Sequence, residues 1–207
     1  IEKNFNRVVF ENDLKWHTWR ADNAVAQKNI RETLDWLDHN AIQTRGHCLV
    51  WPSWAYLPRD LAALKDDPAA LRKRVAEHVT EEVAAYRGRL VEWDVVNEPF
   101  TNHVLMDILG DDAMADWFSL ARAADPNVKL FLNDYNILSA GGLDLQHQAH
   151  YEKTIRFLLD RKAPIGGIGM QGHFAGQLTP PERMLSILDR FAALGLDIEI
   201  TEFDADI

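Results

Sequence analysis

Residues 91–100 read VEWDVVNEPF. The run is apolar enough for a buried strand, yet it carries Glu92, Asp94 and Glu98 and leaves through Asn97-Glu98-Pro99. Side chains alternate in direction along a strand. If the strand stays regular to its end, Glu92, Asp94, Val96 and Glu98 share one face, and Val91, Trp93, Val95 and Asn97 the other. A second stretch, GLDIEITEFD at 195–204, has the same design: the face of Leu196, Ile198 and Ile200 continues to Glu202. Each is a strand with an apolar body and a carboxylate at its exit. Glu92 lies toward the opposite end of its strand, where solvent is expected, and is assigned no chemistry.

Around these two stretches, short apolar runs alternate with longer amphipathic ones. Strands are expected at 7–10, 44–51, 90–97, 128–133, 167–171 and 196–201, and helices at 23–40, 68–86, 111–124, 145–161 and 180–194. The last helix has local entry signals. Thr179 can cap it, Pro180 suits its first turn and Glu182 completes a T-x-x-E box. Gly195 supplies a stop, and Asp67-Pro68 opens the second helix in a similar way. Six strands alternating with five helices read as α/β with a parallel sheet.

Two architectures fit that series: a doubly wound open sheet and a (β/α)₈ barrel lacking two units, since a whole barrel takes about 250 residues. The polar residues favour the barrel. They gather at the C-terminal ends of many strands, as Glu11 and Asn12, His47 and Trp51, Glu98, Asn133 and Asp134, Gln171 and His173, and Glu202. An open sheet would concentrate its ligand groups at one switch point. Neither a glycine-rich fingerprint after the first strand nor a G-x-x-x-x-G-K loop occurs.

Composition narrows the classes further. The chain has 207 residues, 47% of them hydrophobic, and a formal net charge of −10. No basic surplus is available to neutralise nucleic-acid phosphates or an anionic membrane. The single cysteine, Cys48, excludes an intrachain disulfide framework and a cysteine-based zinc cluster. No apolar run reaches membrane-spanning length, and no H-E-x-x-H or comparable ligand spacing points to a metal.

A glutamate just past a strand is often a solvated cap or an ion-pair partner. Two of them at one predicted mouth, with Asn97 and His173 nearby, instead suit glycosidic bond hydrolysis. One carboxyl must hold a proton for the leaving oxygen, while the other stays ionised. A separation of about 5–5.5 Å would retain anomeric configuration and one of about 6.5–9.5 Å would invert it; sequence spacing leaves both open. Tryptophans can cover the apolar face of a sugar ring, and Trp16, Trp51 and Trp54 fall near strand ends. Asn12, Lys15, His47, Asn97 and Gln171 can partner hydroxyls. Trp36, Trp93 and Trp117 read as structural.

Six ordered motifs carry a family resemblance: FENDLKW (10–16), RGHCLVW (45–51), WDVVNEP (93–99), FLNDYN (131–136), GIGMQGH (167–173) and ITEFD (200–204). Together they resemble the catalytic domain of glycoside hydrolase family 10, the retaining endo-β-1,4-xylanases. The resemblance implies a TIM barrel that uses no cofactor or metal and takes xylan or xylo-oligosaccharides as its partner. It implies Glu98 as acid/base and Glu202 as nucleophile, with His173 supporting the nucleophile and Asp94 the surrounding network. It further implies Asn97 on the sugar 2-hydroxyl, Asn12 and Lys15 on the glycone side, and His47, Trp51 and Gln171 around the cleavage subsite. It also implies Tyr135 as an aromatic on the leaving-group side. Where the family reads W-H-S-Q, this chain reads Trp51-Pro52-Ser53-Trp54, which exchanges a hydrogen-bonding glutamine for a stacking surface at Trp54.

The match covers the family's second to seventh strands. A barrel without its first and eighth units exposes two sheet edges, so the span is expected to be part of a larger protein or to be completed by another chain. A polymeric substrate implies a secreted or periplasmic setting, with no signal peptide within this span. Other readings are a related β-glycanase on another β-linked glycan and a non-catalytic carbohydrate-binding derivative.

Overall fold

The computed structural model describes residues 3–20 and 22–206. Its main sheet has six parallel strands: β1 (Arg7–Val9), β2 (Gln43–Val50), β3 (Glu92–Asn97), β4 (Lys129–Asp134), β5 (Gly167–Met170) and β7 (Asp197–Ile200). They are ordered as in the chain, β1-β2-β3-β4-β5-β7, so each crossover places the next strand beside the last. Two three-residue strands, β6 (His173–Ala175) and β8 (Asp204–Asp206), form a separate parallel pair. The α-helices are α1 (Ala24–His39), α2 (Pro68–Ala85), α3 (Val104–Leu109), α4 (Asp112–Ala124), α5 (Leu145–Asp160) and α6 (Pro181–Ala192).

One ion pair distinguishes a barrel from an open sheet. Strands in a sheet are about 4.8 Å apart, which would put β1 and β7 about 24 Å from each other if the sheet were flat. Arg7 on β1 nevertheless meets Glu199 on β7 at 2.8 Å, and Arg45 on β2 approaches the same Glu199 at 3.6 Å. The sheet is therefore curled, and its inward side chains face one another across the interior of an incomplete barrel.

Local signals explain most of the helices. Asn23 and Asp67 accept hydrogen bonds from Ala26 and Ala70 and cap α1 and α2, and Pro68 occupies the first turn of α2. In α2, Leu71, Val75, Val79 and Val83 recur every fourth residue and are fully buried. Between β2 and β3, Gly46 lies under Trp93; a Cβ there would come within 2.2 Å of the indole. Trp93 and Trp117 are buried as expected, whereas Trp36 is 43% exposed.

Three expectations fail locally. Pro180, not Thr179, is the N-cap of α6, and it makes no side-chain cap bond. The Thr179 hydroxyl instead donates to the carbonyl of Leu138, so the T-x-x-E box gives way to a tertiary contact. Trp16 is not a sugar-facing surface: it is 3% exposed and stacks on His78 with ring centroids 4.0 Å apart. Among the described residues there is one α-helix beyond the five expected: α3, only six residues long, is too short to show a period.

Candidate active site

Glu92 is not solvated. It is 3% exposed and belongs to a charge cluster on the barrel floor. Arg45 donates from Nε to Glu92 at 2.9 Å, and from Nη2 and Nη1 to the two Asp94 oxygens at 2.7 and 3.1 Å. Arg7 pairs with the other Glu92 oxygen at 2.9 Å. Burial pushes the Glu92 carboxyl up, as does neighbouring Glu199, against the pull of Arg45 and Arg7. Burial alone would raise Asp94 as well, but Arg45 and His47 outweigh it and hold that carboxyl below its ordinary range. The ionised Asp94 then accepts from His47 Nδ1 at 2.9 Å, which fixes the imidazole just below the site.

Above this floor the two glutamates are held by different donors. Glu98 Oε1 accepts from Gln171 at 2.8 Å, and Oε2 accepts from Trp51 Nε1 at 3.0 Å and Asn102 at 3.1 Å. Glu202 Oε1 accepts from Asn133 at 2.8 Å, and His173 Nε2 stands 3.2 Å from Oε2. Three amides link the carboxylates. Asn133 donates to Asn97 Oδ1 at 3.0 Å, and Gln171 Nε2 stands 3.4 Å from that same oxygen. The Thr201 hydroxyl donates to Asn133 Oδ1 at 2.7 Å, which orients that amide with its nitrogen toward Glu202. Gly169 on β5 leaves the space, since a Cβ there would lie 2.4 Å from Asn133 Oδ1.

Simple alternation puts Asn97 on the face opposite Glu98, yet both reach the same site. The β3–β4 register shifts between Asp94 and Val96, and such an irregularity re-aims the side chains beyond it. Glu98 then takes φ +55, a strained conformation for a non-glycine residue.

The environments of the two carboxyls differ in kind. Burial drives Glu98 up; the Gln171 and Trp51 hydrogen bonds oppose this, and the charges of Asp134 and Glu202 add to it. The net result is a carboxyl that keeps its proton to higher pH than usual. Glu202 faces the His173 imidazole. Burial pulls His173 down, but Asp204, 2.7 Å from Nδ1, and Glu202 itself reverse this and raise it. The β6–β8 pairing places His173 opposite Asp204. Acid-assisted glycoside cleavage requires one carboxyl that keeps its proton, and the raised Glu98 carboxyl is the one of the pair suited to that.

The other expected residues divide into two groups. Lys15 donates to Asn12 at 3.1 Å and lies 5.3 Å from the Trp51 ring centre, so Asn12, Lys15, Trp51 and Glu98 form one continuous flank. Tyr135 lies on the other flank, its hydroxyl 3.3 Å from Thr101, next in sequence to Asn102. Trp54 is 37% exposed and makes no hydrogen bond to either glutamate among the described residues. Sequence reasoning missed Asn133, Thr201 and Arg45. Asn133 was visible as a polar strand end, but its link to Glu202 spans 69 residues of chain.

Asp134 is also buried behind the site, with Oδ1 2.9 Å from His147 Nε2. Its negative charge disfavours ionised Glu98. Were Glu98 the acid of a glycosidic cleavage, activity would fall as pH rises through its pKa, and Asp134→Asn would then move the alkaline limb of kcat/KM to lower pH. An unmoved limb in the pH–rate profile would mean that the Asp134 charge does not reach Glu98.

Paired carboxylates at the C-terminal mouth of a β/α barrel define the class of site. The chain matches the family model of glycosyl hydrolase family 10 over residues 1–207, and it belongs to that family. It is 34% identical over 220 residues to the β-1,4-xylanase of Dictyoglomus thermophilum, covering 100% of this chain and 59% of that protein. Two solved structures are similar in fold. The family 10 protein of Paenibacillus barcinonensis aligns with TM-score 0.87 at 27% identity, and native xylanase 10B of Thermotoga maritima with TM-score 0.87 at 28%. Each alignment covers 100% of this chain and 64% of the other. The chain thus spans roughly three fifths of the length of the relatives it matches.

Proposed function

We propose that this chain carries the paired carboxylates of a retaining endo-β-1,4-xylanase. The observation that carries the reading is the two carboxylates at one mouth, Glu98 and Glu202, linked through Gln171, Asn97 and Asn133. In the first step Glu202 attacks the anomeric carbon while Glu98 gives its proton to the departing glycosidic oxygen. In the second, Glu98 takes a proton from water, the hydroxyl oxygen attacks the same carbon, and the bond to Glu202 breaks. Two inversions restore the original configuration, and neither step needs a cofactor. Asn97 Nδ2 is buried with no hydrogen-bond partner among the described residues, which supports its role as donor to the sugar 2-hydroxyl. The glycone side is then the flank of Asn12 and Lys15, and the leaving-group side that of Tyr135.

Residues 1–207 are proposed to supply the second to seventh units of the barrel, with two further units closing it between β7 and β1. The exposure of Val9 (39%) on β1 and Ile200 (44%) on β7 supports this. A polymeric substrate suits a secreted or periplasmic protein. The test is hydrolysis of defined xylo-oligosaccharides by the full-length protein, with the product anomer followed by NMR and mixed-linkage β-glucan and cellulose compared in parallel. Initial release of the β-anomer from xylan substrates is expected. Initial α-anomer, or no hydrolysis of xylan, would overturn the reading.

A further inference from the structure

A cleft of about 760 Å³ is lined by His17, Arg20, Trp54, Pro58, Arg59 and Asp60 among others. A run of contacts joins it to the site. Trp51, which donates to Glu98, stacks on Tyr56 with ring centroids 3.7 Å apart. The Tyr56 carbonyl in turn accepts from Nδ1 of His17 at 3.3 Å. His17 follows Lys15 closely in the chain, so the cleft continues the flank formed by Asn12, Lys15 and Trp51.

The charge of this cleft differs from that of the whole chain. The chain carries a formal net charge of −10, yet the cleft combines two arginines and a histidine with a single acidic side chain, Asp60. That acid compensates weakly. Arg20 and Asp60 are 3.6 Å apart, beyond direct hydrogen bonding, and both side chains are more than half exposed. Arg59 makes no ion pair among the described residues. Trp54 stands partly exposed in the same cleft.

Unsubstituted xylose offers no group that calls for a guanidinium. A sugar bearing a carboxylate does: its ring can lie on an indole face while a planar arginine takes the acid through paired hydrogen bonds. We propose that this cleft is a distal glycone subsite that selects xylan chains carrying a uronic acid branch, with Trp54 under the sugar and Arg59 and Arg20 on its carboxylate. The proposal rests on the xylanase reading above and assigns to Trp54 the stacking surface that replaces a glutamine.

Three oligosaccharides test it on the full-length protein: an unbranched xylo-oligosaccharide, the same chain with one glucuronic acid branch toward the glycone end, and that branched chain with its carboxyl reduced to the neutral glucose. The acidic form is expected to exceed the reduced form in kcat/KM by about tenfold at low ionic strength, the scale of one charge-assisted hydrogen bond. Added salt should shrink that ratio, and the double variant Arg20→Gln/Arg59→Gln should bring it close to one. A ratio near one in the native protein, or a ratio that the double variant leaves unchanged, overturns the proposal. Should the double variant fail to fold, calorimetric binding of the acidic and reduced chains by the native protein decides, equal affinities overturning it. Hydrolysis of the unbranched chain with a ratio near one sinks this inference alone. Failure to hydrolyse any of the three sinks the xylanase reading and this inference with it.

Discussion

Glu202→Ala is expected to lower kcat on xylo-oligosaccharides by on the order of 10⁵-fold, the scale on which loss of a nucleophile falls in a covalent mechanism. The argument is geometric. Asn133 and His173 hold Glu202 from two sides, so the side chain is already in place before substrate arrives and little of its contribution can be supplied by water. Removing it also opens the face from which it would attack. A small anion such as azide can then enter that space and displace the leaving group, giving a glycosyl azide of inverted, α configuration. Glu98→Ala should behave differently. With an aryl leaving group that needs no proton, bond cleavage should persist while release of the covalent intermediate slows, and azide should give the retained, β product. The azide product anomers, read by NMR, check both roles at once. Full xylan turnover by Glu202→Ala, or the two variants giving the same azide anomer, would exclude the assignment.

Arg45→Met is expected to cost about 3–5 kcal/mol of stability, the penalty for leaving one partner of a buried ion pair uncompensated. For a chain of this size that is roughly 10 °C in Tm. Arg45 is only 5% exposed in its side chain, and it joins β2 to Asp94 and Glu92 on β3 and to Glu199 on β7. Without it Asp94 keeps His47 as its hydrogen-bonding partner, and Glu92 keeps Arg7. Like-charge repulsion among Glu92, Asp94 and Glu199 would then act inside the barrel. Arg45→Lys should recover little, because one ammonium cannot reproduce the fork that meets Glu92 through Nε and both Asp94 oxygens through its terminal nitrogens. Thermal unfolding followed by circular dichroism checks this. A Tm within a degree or two of the native value would show that the cluster is not an essential floor. Because Asp94 is held below its ordinary pKa, its stabilisation is present above the unfolded-state pKa and is lost as pH falls through the depressed folded-state value. The native protein should lose more stability on acidification than Arg45→Met, in which that depression is largely gone.

The extent to which the sequence was legible follows the range of the interactions. The strands β2 to β5 and helices α1, α2, α4 and α5 begin and end within a residue or two of their expected bounds. Their signals are local: apolar period, capping asparagine or aspartate, proline in a first turn. The ordered motifs located both glutamates, His173 and Gln171 for the same reason, as residues at strand exits. Short elements escaped. α3 and the β6–β8 pair are too brief to carry a period, and β8 exists only because it pairs with β6, 31 residues earlier in register.

From the sequence alone it followed that this chain alternates strand and helix, that its strands end in polar groups, and that Glu98 and Glu202 stand at two of those strand exits. Periodicity and capping act over a few residues, so one sequence suffices to read them. Long-range contact set which polar groups are buried together. It closed Arg7 onto Glu199 and curled the sheet, turned Glu92 from an expected solvent group into part of a buried floor, and took Thr179 away from its helix. The register shift in β3 brought Asn97 beside Glu98 against simple alternation. Each of these depends on contacts between residues far apart in the chain, where the free energy of a charge or an amide is set by what surrounds it and not by its neighbours in sequence.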